Sequence, residues 1–107
     1  MLCKINGVYY LVDFKTSNHV GYKYFMQLAA YRYMLKYCKN IEIGGCIILQ
    51  VNKKKIEYTE YMLDLTIPFH LEFLNQCERT FFATVYAMNN KLITEQMFKK
   101  YQRTREM

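Results

Sequence analysis

Asn6-Gly7 stands between two short runs rich in apolar, β-branched and aromatic residues, Leu2 to Ile5 and Val8 to Phe14. An Asn-Gly pair in that setting is the strongest short-range hairpin signal, because a tight two-residue turn demands positive φ at both positions. It predicts two antiparallel strands and fixes their register. The second strand runs out on Asp13, Phe14 and Lys15. Side chains two apart on a strand project to one face. An acid and an ammonium are therefore delivered together at the end of an otherwise apolar strand.

Downstream, the polar stretch Thr16 to Gly21 reads as a turn. Tyr22 to Lys39 then holds no Gly or Pro and many good helix formers, which predicts a helix of several turns. Gly44-Gly45 marks its exit, and the continuous apolar run Cys46 to Val51 predicts a buried central strand. Asn52 to Lys55 reads as a turn into a half-exposed strand, Ile56 to Leu63. Pro68 suits the first turn of a helix running to about Met88, with Asn89-Asn90 as its stop and a last short helix after Thr94. The order predicts an α/β fold of the α+β mixed-sheet kind: hairpin, helix, a strand parallel to the second hairpin arm, one added strand and C-terminal helices. Such a strand–helix–strand unit connects right-handedly in almost all cases. No repeat or linker interrupts residues 1–107, which read as a single domain.

The chain is 52% hydrophobic with one proline and four glycines, enough for one core and too apolar for a disordered segment. Cys3, Cys38, Cys46 and Cys77 form no CxxC pair and have no histidine at zinc-ligand spacing, so reduced thiols in a cytoplasmic protein are expected. No apolar run approaches the ~20 residues that span a bilayer, and no membrane partner is expected. A formal charge of +6 suits nucleic acid as a partner, while charge alone leaves a solubilising surface open. Along the long helix, Arg32, Lys36 and Lys39 fall within about 60° of one another, which predicts a solvent face. Gln27 lies opposite, flanked by Ala30, Tyr31 and Met34, and there it needs hydrogen-bond partners.

A strand ending VDFKTS, followed by a helix carrying QLAAYRYML, resembles the RecB-type branch of the PD-(D/E)XK nuclease superfamily, in which an acid-x-Lys strand precedes a Q-x-x-x-Y helix. The matching region is about residues 5 to 51. The resemblance implies a restriction-endonuclease-like core acting as a metal-dependent DNA phosphodiesterase. It implies Asp13 and the backbone carbonyl of Phe14 as ligands of Mg²⁺ or Mn²⁺. Lys15 would orient or activate water and stabilise charge on phosphate oxygens. Gln27 and Tyr31 would lie beside the site, placing the lysine or touching the substrate backbone.

The family pattern also has an acid, within G-x-x-D, on the preceding strand, and commonly a glutamate on a helix before it. Leu2 to Val12 contains no Asp or Glu, so the chain is similar to a family member that begins just after its first metal-binding acid. Glu42, Glu57, Glu60 and Asp64 are the remaining substitutes, and no spacing selects among them. Three readings follow: a shortened nuclease, a site completed by a second chain, or a remnant that kept the fold and binds nucleic acid or protein, such as a phage inhibitor of a nuclease system. In the resembled fold a further strand precedes Leu2, so the Leu2 to Ile5 edge is expected to lie at or near a homodimer interface.

Nucleic-acid contacts are expected from Lys53, Lys54, Lys55, Lys99, Lys100 and Arg103, with Lys91 and Arg105 nearby in sequence. Replacing Lys53, Lys54 and Lys55 by alanine is expected to weaken DNA binding and to lower the slope of log affinity against log salt by about 2 to 3. Fluorescence anisotropy across a salt series reads both quantities. An unchanged affinity and slope assigns the turn to ordinary solvation.

Overall fold

The computed structural model describes residues 1–16, 19–55 and 57–105. Along the chain come β1 (Leu2–Ile5), β2 (Val8–Lys15), α1 (Tyr22–Lys39), β3 (Ile43–Val51), β4 (Tyr58–Asp64) and α2 (Pro68–Arg105). Ile56, the expected start of the last strand, and Ser17 and Asn18 of the expected turn lie outside the described residues. The strands make one mixed sheet in the order β1-β2-β3-β4, with two helices, which is the α/β mixed-sheet architecture expected. β1 and β2 are antiparallel around the Asn6-Gly7 turn, where Asn6 has φ 51° and Gly7 has φ 81°. β2 and β3 are parallel, from Tyr9 opposite Ile43 to Lys15 opposite Gln50, and α1 makes the crossover. β4 returns antiparallel to β3.

Alternation along this ladder sorts the side chains into two faces. Leu11, Cys46, Ile48 and Leu63 share one face and are buried with Leu28 and Ala29 of α1 and Leu74 and Cys77 of α2. Burial pushes the Cys46 thiol up to about 12, against the opposing charge of Arg32, and raises the Cys77 thiol too. The other face carries Val12, Phe14, Ile47, Leu49, Val51 and Met62. Among the described residues no helix packs over it, and Phe14 and Met62 are 53% and 43% exposed. The apolar run Cys46 to Val51 is therefore buried on one side only, because α1 and α2 both lie on the same face of the sheet.

Three further expectations need correction. Gly44-Gly45 does not punctuate the exit of α1, for both residues lie inside β3. The ladder shifts there, with Tyr9 opposite Ile43 and Tyr10 opposite Gly45, so Gly44 is the extra residue of a bulge. A Cβ on Gly45 would stand 2.6 Å from the carbonyl oxygen of Leu63 and 2.9 Å from the ring of Tyr10, so glycine here permits close strand approach.

Asn89-Asn90 does not end a helix either, because α2 runs unbroken over 38 residues. The Asn90 side-chain amide donates to the Tyr86 carbonyl and the Thr94 hydroxyl donates to the Asn90 carbonyl, at 2.9 and 2.8 Å. These polar side chains bond along the helix, and neither Gly nor Pro follows Pro68 to stop it.

The faces of α1 are reversed with respect to the charge pattern. Arg32 is half-buried and donates from Nη1 to Asn75 Oδ1 of α2 at 2.7 Å, whereas Gln27, Tyr31 and Met34 are exposed. The arginine lays its aliphatic stem between the helices while its head finds a polar partner. Lys36 and Lys39 are exposed, as expected.

α2 meets α1 over its first part, through Phe73 against Phe25 and Phe82 against Tyr33, with ring centroids 5.4 and 4.8 Å apart. From Phe82 to Arg105 every residue is exposed. This tail stretches the molecule to 67 Å and raises the radius of gyration to 19.2 Å, against about 13 Å for a compact chain of this length. No helix among the described residues is long and apolar enough to cross a membrane.

Gly45→Ala is expected to cost about 1–3 kcal/mol, the usual range for overpacking, as a lowered urea midpoint. An unchanged midpoint rejects the close approach of Tyr10 and β4. The Cys46 thiol has a second consequence. Folded, it stays protonated up to about 12, while in the unfolded chain it ionises near the ordinary thiol value of 9.0. Its contribution is fully present below pH 9 and is lost as pH rises from 9 towards 12. Urea unfolding across that window is expected to show a steeper alkaline loss for the native chain than for Cys46→Ala, and parallel losses refute it.

Candidate functional site at the carboxyl ends of the parallel strands

Because β2 and β3 run parallel, their carboxyl ends share one end of the sheet, where open α/β sheets place their ligands. Three chain segments reach that end. β2 closes on Asp13 and Lys15. α1 opens after Gly21, with no side-chain cap hydrogen bond and no acid in its first turn, so the positive end of its dipole is unopposed by its own residues. β3 leaves through the turn at Asn52 to Lys55, in which Asn52 Oδ1 accepts the backbone N–H of Lys54 at 3.0 Å and Lys53, Lys54 and Lys55 are exposed.

Asp13 and Lys15 project to the helix-covered face, in register with Ile48 and Gln50. Lys15 Nζ lies 3.0 Å from Asp13 Oδ2 and 4.5 Å from the centre of the Tyr24 ring. The side chains of Lys15 and Asp13 keep 23% and 34% of their exposure, so the ion pair contributes no more than about 1 kcal/mol of stability. Its interest is positional: the ring of the first helical turn holds the ammonium over the end of the strand.

At 100° per residue Tyr24, Gln27 and Tyr31 lie within about 60° of one another, so Gln27 and Tyr31 continue the flank of α1 that begins at the lysine contact. Both are exposed rather than set into the core. The Phe14 side chain points to the opposite, uncovered face. Lys99, Lys100 and Arg103 stand on the exposed half of α2 with Lys91 and Arg105.

The other acids do not join Asp13. Glu57 and Glu60 border the uncovered sheet face. Asp64 sits opposite Gly45 at the far end of β3, where its carboxylate accepts from the Thr66 hydroxyl at 2.7 Å and the Thr66 N–H at 3.0 Å. These bonds, the hydroxyl first, hold its pKa below the ordinary aspartate value. Glu42 lines a hollow of about 200 Å³ with Arg32 and Lys36, at the amino end of β3. Among the described residues no three His, Cys, Asp or Glu side chains come together in a way that could hold a metal ion. Mg²⁺ or Mn²⁺ therefore does not fit these residues alone: they offer one carboxylate, already paired with an ammonium.

One surface escaped the sequence reading. The uncovered sheet face forms an open groove of about 560 Å³ lined by Val12, Phe14, Ile47, Leu49, Val51 and Tyr58, with Glu57 and Glu60 at its border. Alternation assigns these residues to one face, but a run apolar on both sides implied cover on both. Comparison of the chain with protein-family models, curated proteins and solved structures finds no match.

Proposed function

We propose that this chain is the core of a metal-dependent DNA phosphodiesterase of the PD-(D/E)XK kind, complete only together with acids from outside the described residues. The observation that carries this reading is the Asp13–Lys15 pair at the end of a strand parallel to its neighbour, beside the opening of α1 and the Lys53–Lys55 turn. A phosphodiester backbone meets positive charge there from two directions. Each lysine of the turn that reaches a phosphate releases condensed counterions and binds without reading sequence. Lys15, steadied by the Tyr24 ring, offers its ammonium to charge developing on a phosphate oxygen. Gln27 and Tyr31 present polar groups along the flank that a strand would follow. The free cysteines suit a reducing compartment, the cytoplasm.

A second reading has its own support. With one carboxylate at this end, the same charges serve a non-catalytic module that holds nucleic acid or protein, as an inhibitor of a nuclease system would.

Labelled DNA incubated with the chain and Mn²⁺ decides between the two. Asp13→Asn and Lys15→Ala are each expected to lower cleavage by about 10²-fold or more, with circular dichroism unchanged. Cleavage retained by either variant removes the site from the reaction. DNA binding without cleavage by the unsubstituted chain is what a site short of one acid requires; if cleavage then also fails to appear with Gln50→Glu, which sets a second carboxylate on the same sheet face opposite Lys15, the site passes to the second reading.

A further inference from the structure

Two surfaces of this molecule are apolar and uncovered, and they match. One is the sheet groove. The other is the tail of α2, where Val85, Tyr86, Met88, Leu92 and Ile93, beyond the Phe82–Tyr33 contact, fall within about 160° of arc at 100° per residue. That face turns basic in its last turns, since Lys99, Lys100 and Arg103 continue the direction of Val85 and Leu92. Between Lys91 and Arg105 the tail carries five cations and one acid, whereas the groove is bordered by Glu57 and Glu60 and lined by no cation. Apolar stretch meets apolar floor, and basic end meets acidic border.

The tail cannot cover its own groove. Leu74 and Cys77 fix α2 to the face that also holds α1, and from Phe82 on the helix is exposed. A second copy has no such restriction. The area available also suits an obligate pair. The chain exposes 8563 Å², against about 6,300 Å² for a compact monomer of 13.0 kDa, an excess of about 2,200 Å² per chain. Obligate homodimers bury on the order of 2,000–5,000 Å² in total.

We propose that two copies form a two-fold dimer in which the tail of each α2 lies across the uncovered sheet face of the other. This goes beyond the phosphodiesterase reading and does not depend on it. It leaves Asp13 and Lys15 outside the contact, on the other face of the sheet. It also moves the expected interface from the Leu2–Ile5 edge to the sheet face.

Sedimentation equilibrium of the 107-residue chain at micromolar concentration is expected to give twice the 13.0 kDa monomer mass. Two substitutions at exposed or half-exposed positions break the contact from opposite sides. Leu92→Glu buries a charge of the tail against the apolar floor, and Val51→Lys buries a charge of the floor against the apolar stretch of the tail. Each is expected to raise the dimer dissociation constant at least 100-fold, with circular dichroism unchanged. Mixing the two variants is expected to restore a dimer, because the groove of the first and the tail of the second are both intact. A monomer mass for the unsubstituted chain overturns the proposal. So does a dimer that Val51→Lys leaves intact, which takes the groove out of the interface, or two variants that fail to rescue each other.

Discussion

A parallel ladder cannot be closed by a tight turn. To lie beside β2 in the same direction, β3 must be reached by a crossover, and Tyr22–Lys39 provides one that returns the chain along one face of the sheet. Once that crossover exists, both strands end at the same place and the helix begins there. Asp13, Lys15, Tyr24 and the lysines at 53 to 55 owe their shared location to this geometry. The hairpin matters to it indirectly: by pairing Ile5 with Val8 it sets which β2 residues face the helix, and so turns Asp13 and Lys15 towards Tyr24.

The second consequence is a one-sided molecule. Both helices lie over the face of Leu11, Cys46 and Ile48, and the interior they make is wholly apolar. Among the described residues no buried side-chain nitrogen or oxygen lacks a hydrogen-bond partner. Burying a leucine or phenylalanine is worth about 1.5–3 kcal/mol, a gain Leu74 realises and the exposed Phe14, Leu92 and Phe98 do not. A helical tail of two dozen residues standing in water is also near the margin of helix stability, since most helical stability in proteins comes from packing an apolar face. The unpacked half of α2 and the unpacked half of the sheet are the same deficit seen at two places.

What the sequence made legible was whatever neighbours in the chain decide. Asn6-Gly7 announces its turn from two residues, the Asp13–Lys15 alignment needs only strand alternation, and α1 starts directly after Gly21, although its end is set by Asn40 in the left-handed region rather than by a glycine. What stayed hidden depends on partners far along the chain. Gly44 and Gly45 look like a helix exit until Tyr10, from another strand, occupies the space that a Cβ on Gly45 would take. Arg32 looks like solvent surface until Asn75, 43 residues on, takes its guanidinium. Residues 46 to 51 are apolar on both sides, and nothing in that pattern tells which side a helix covers. Asn89-Asn90 misled for a different reason: asparagine breaks a helix only weakly, and here its side chain satisfies a helical carbonyl instead.

The Asp13–Lys15 pair also explains why a single acid is too little. At 3.0 Å the two charges answer each other, and the pair is close to neutral towards anything that approaches. A divalent cation arriving at Asp13 must displace an ammonium that the Tyr24 ring already holds, with one carboxylate to offer in exchange. An arriving phosphate competes for Lys15 from the other side. A second carboxylate beside Asp13 changes both contests at once, since the local charge becomes negative, a cation is retained, and Lys15 is released towards the phosphate. Under the proposed phosphodiesterase reading, the lack of a second acid beside Asp13 among the described residues and the closed ion pair are one physical fact, and it is what separates a binding surface from a catalytic one at this end of the sheet.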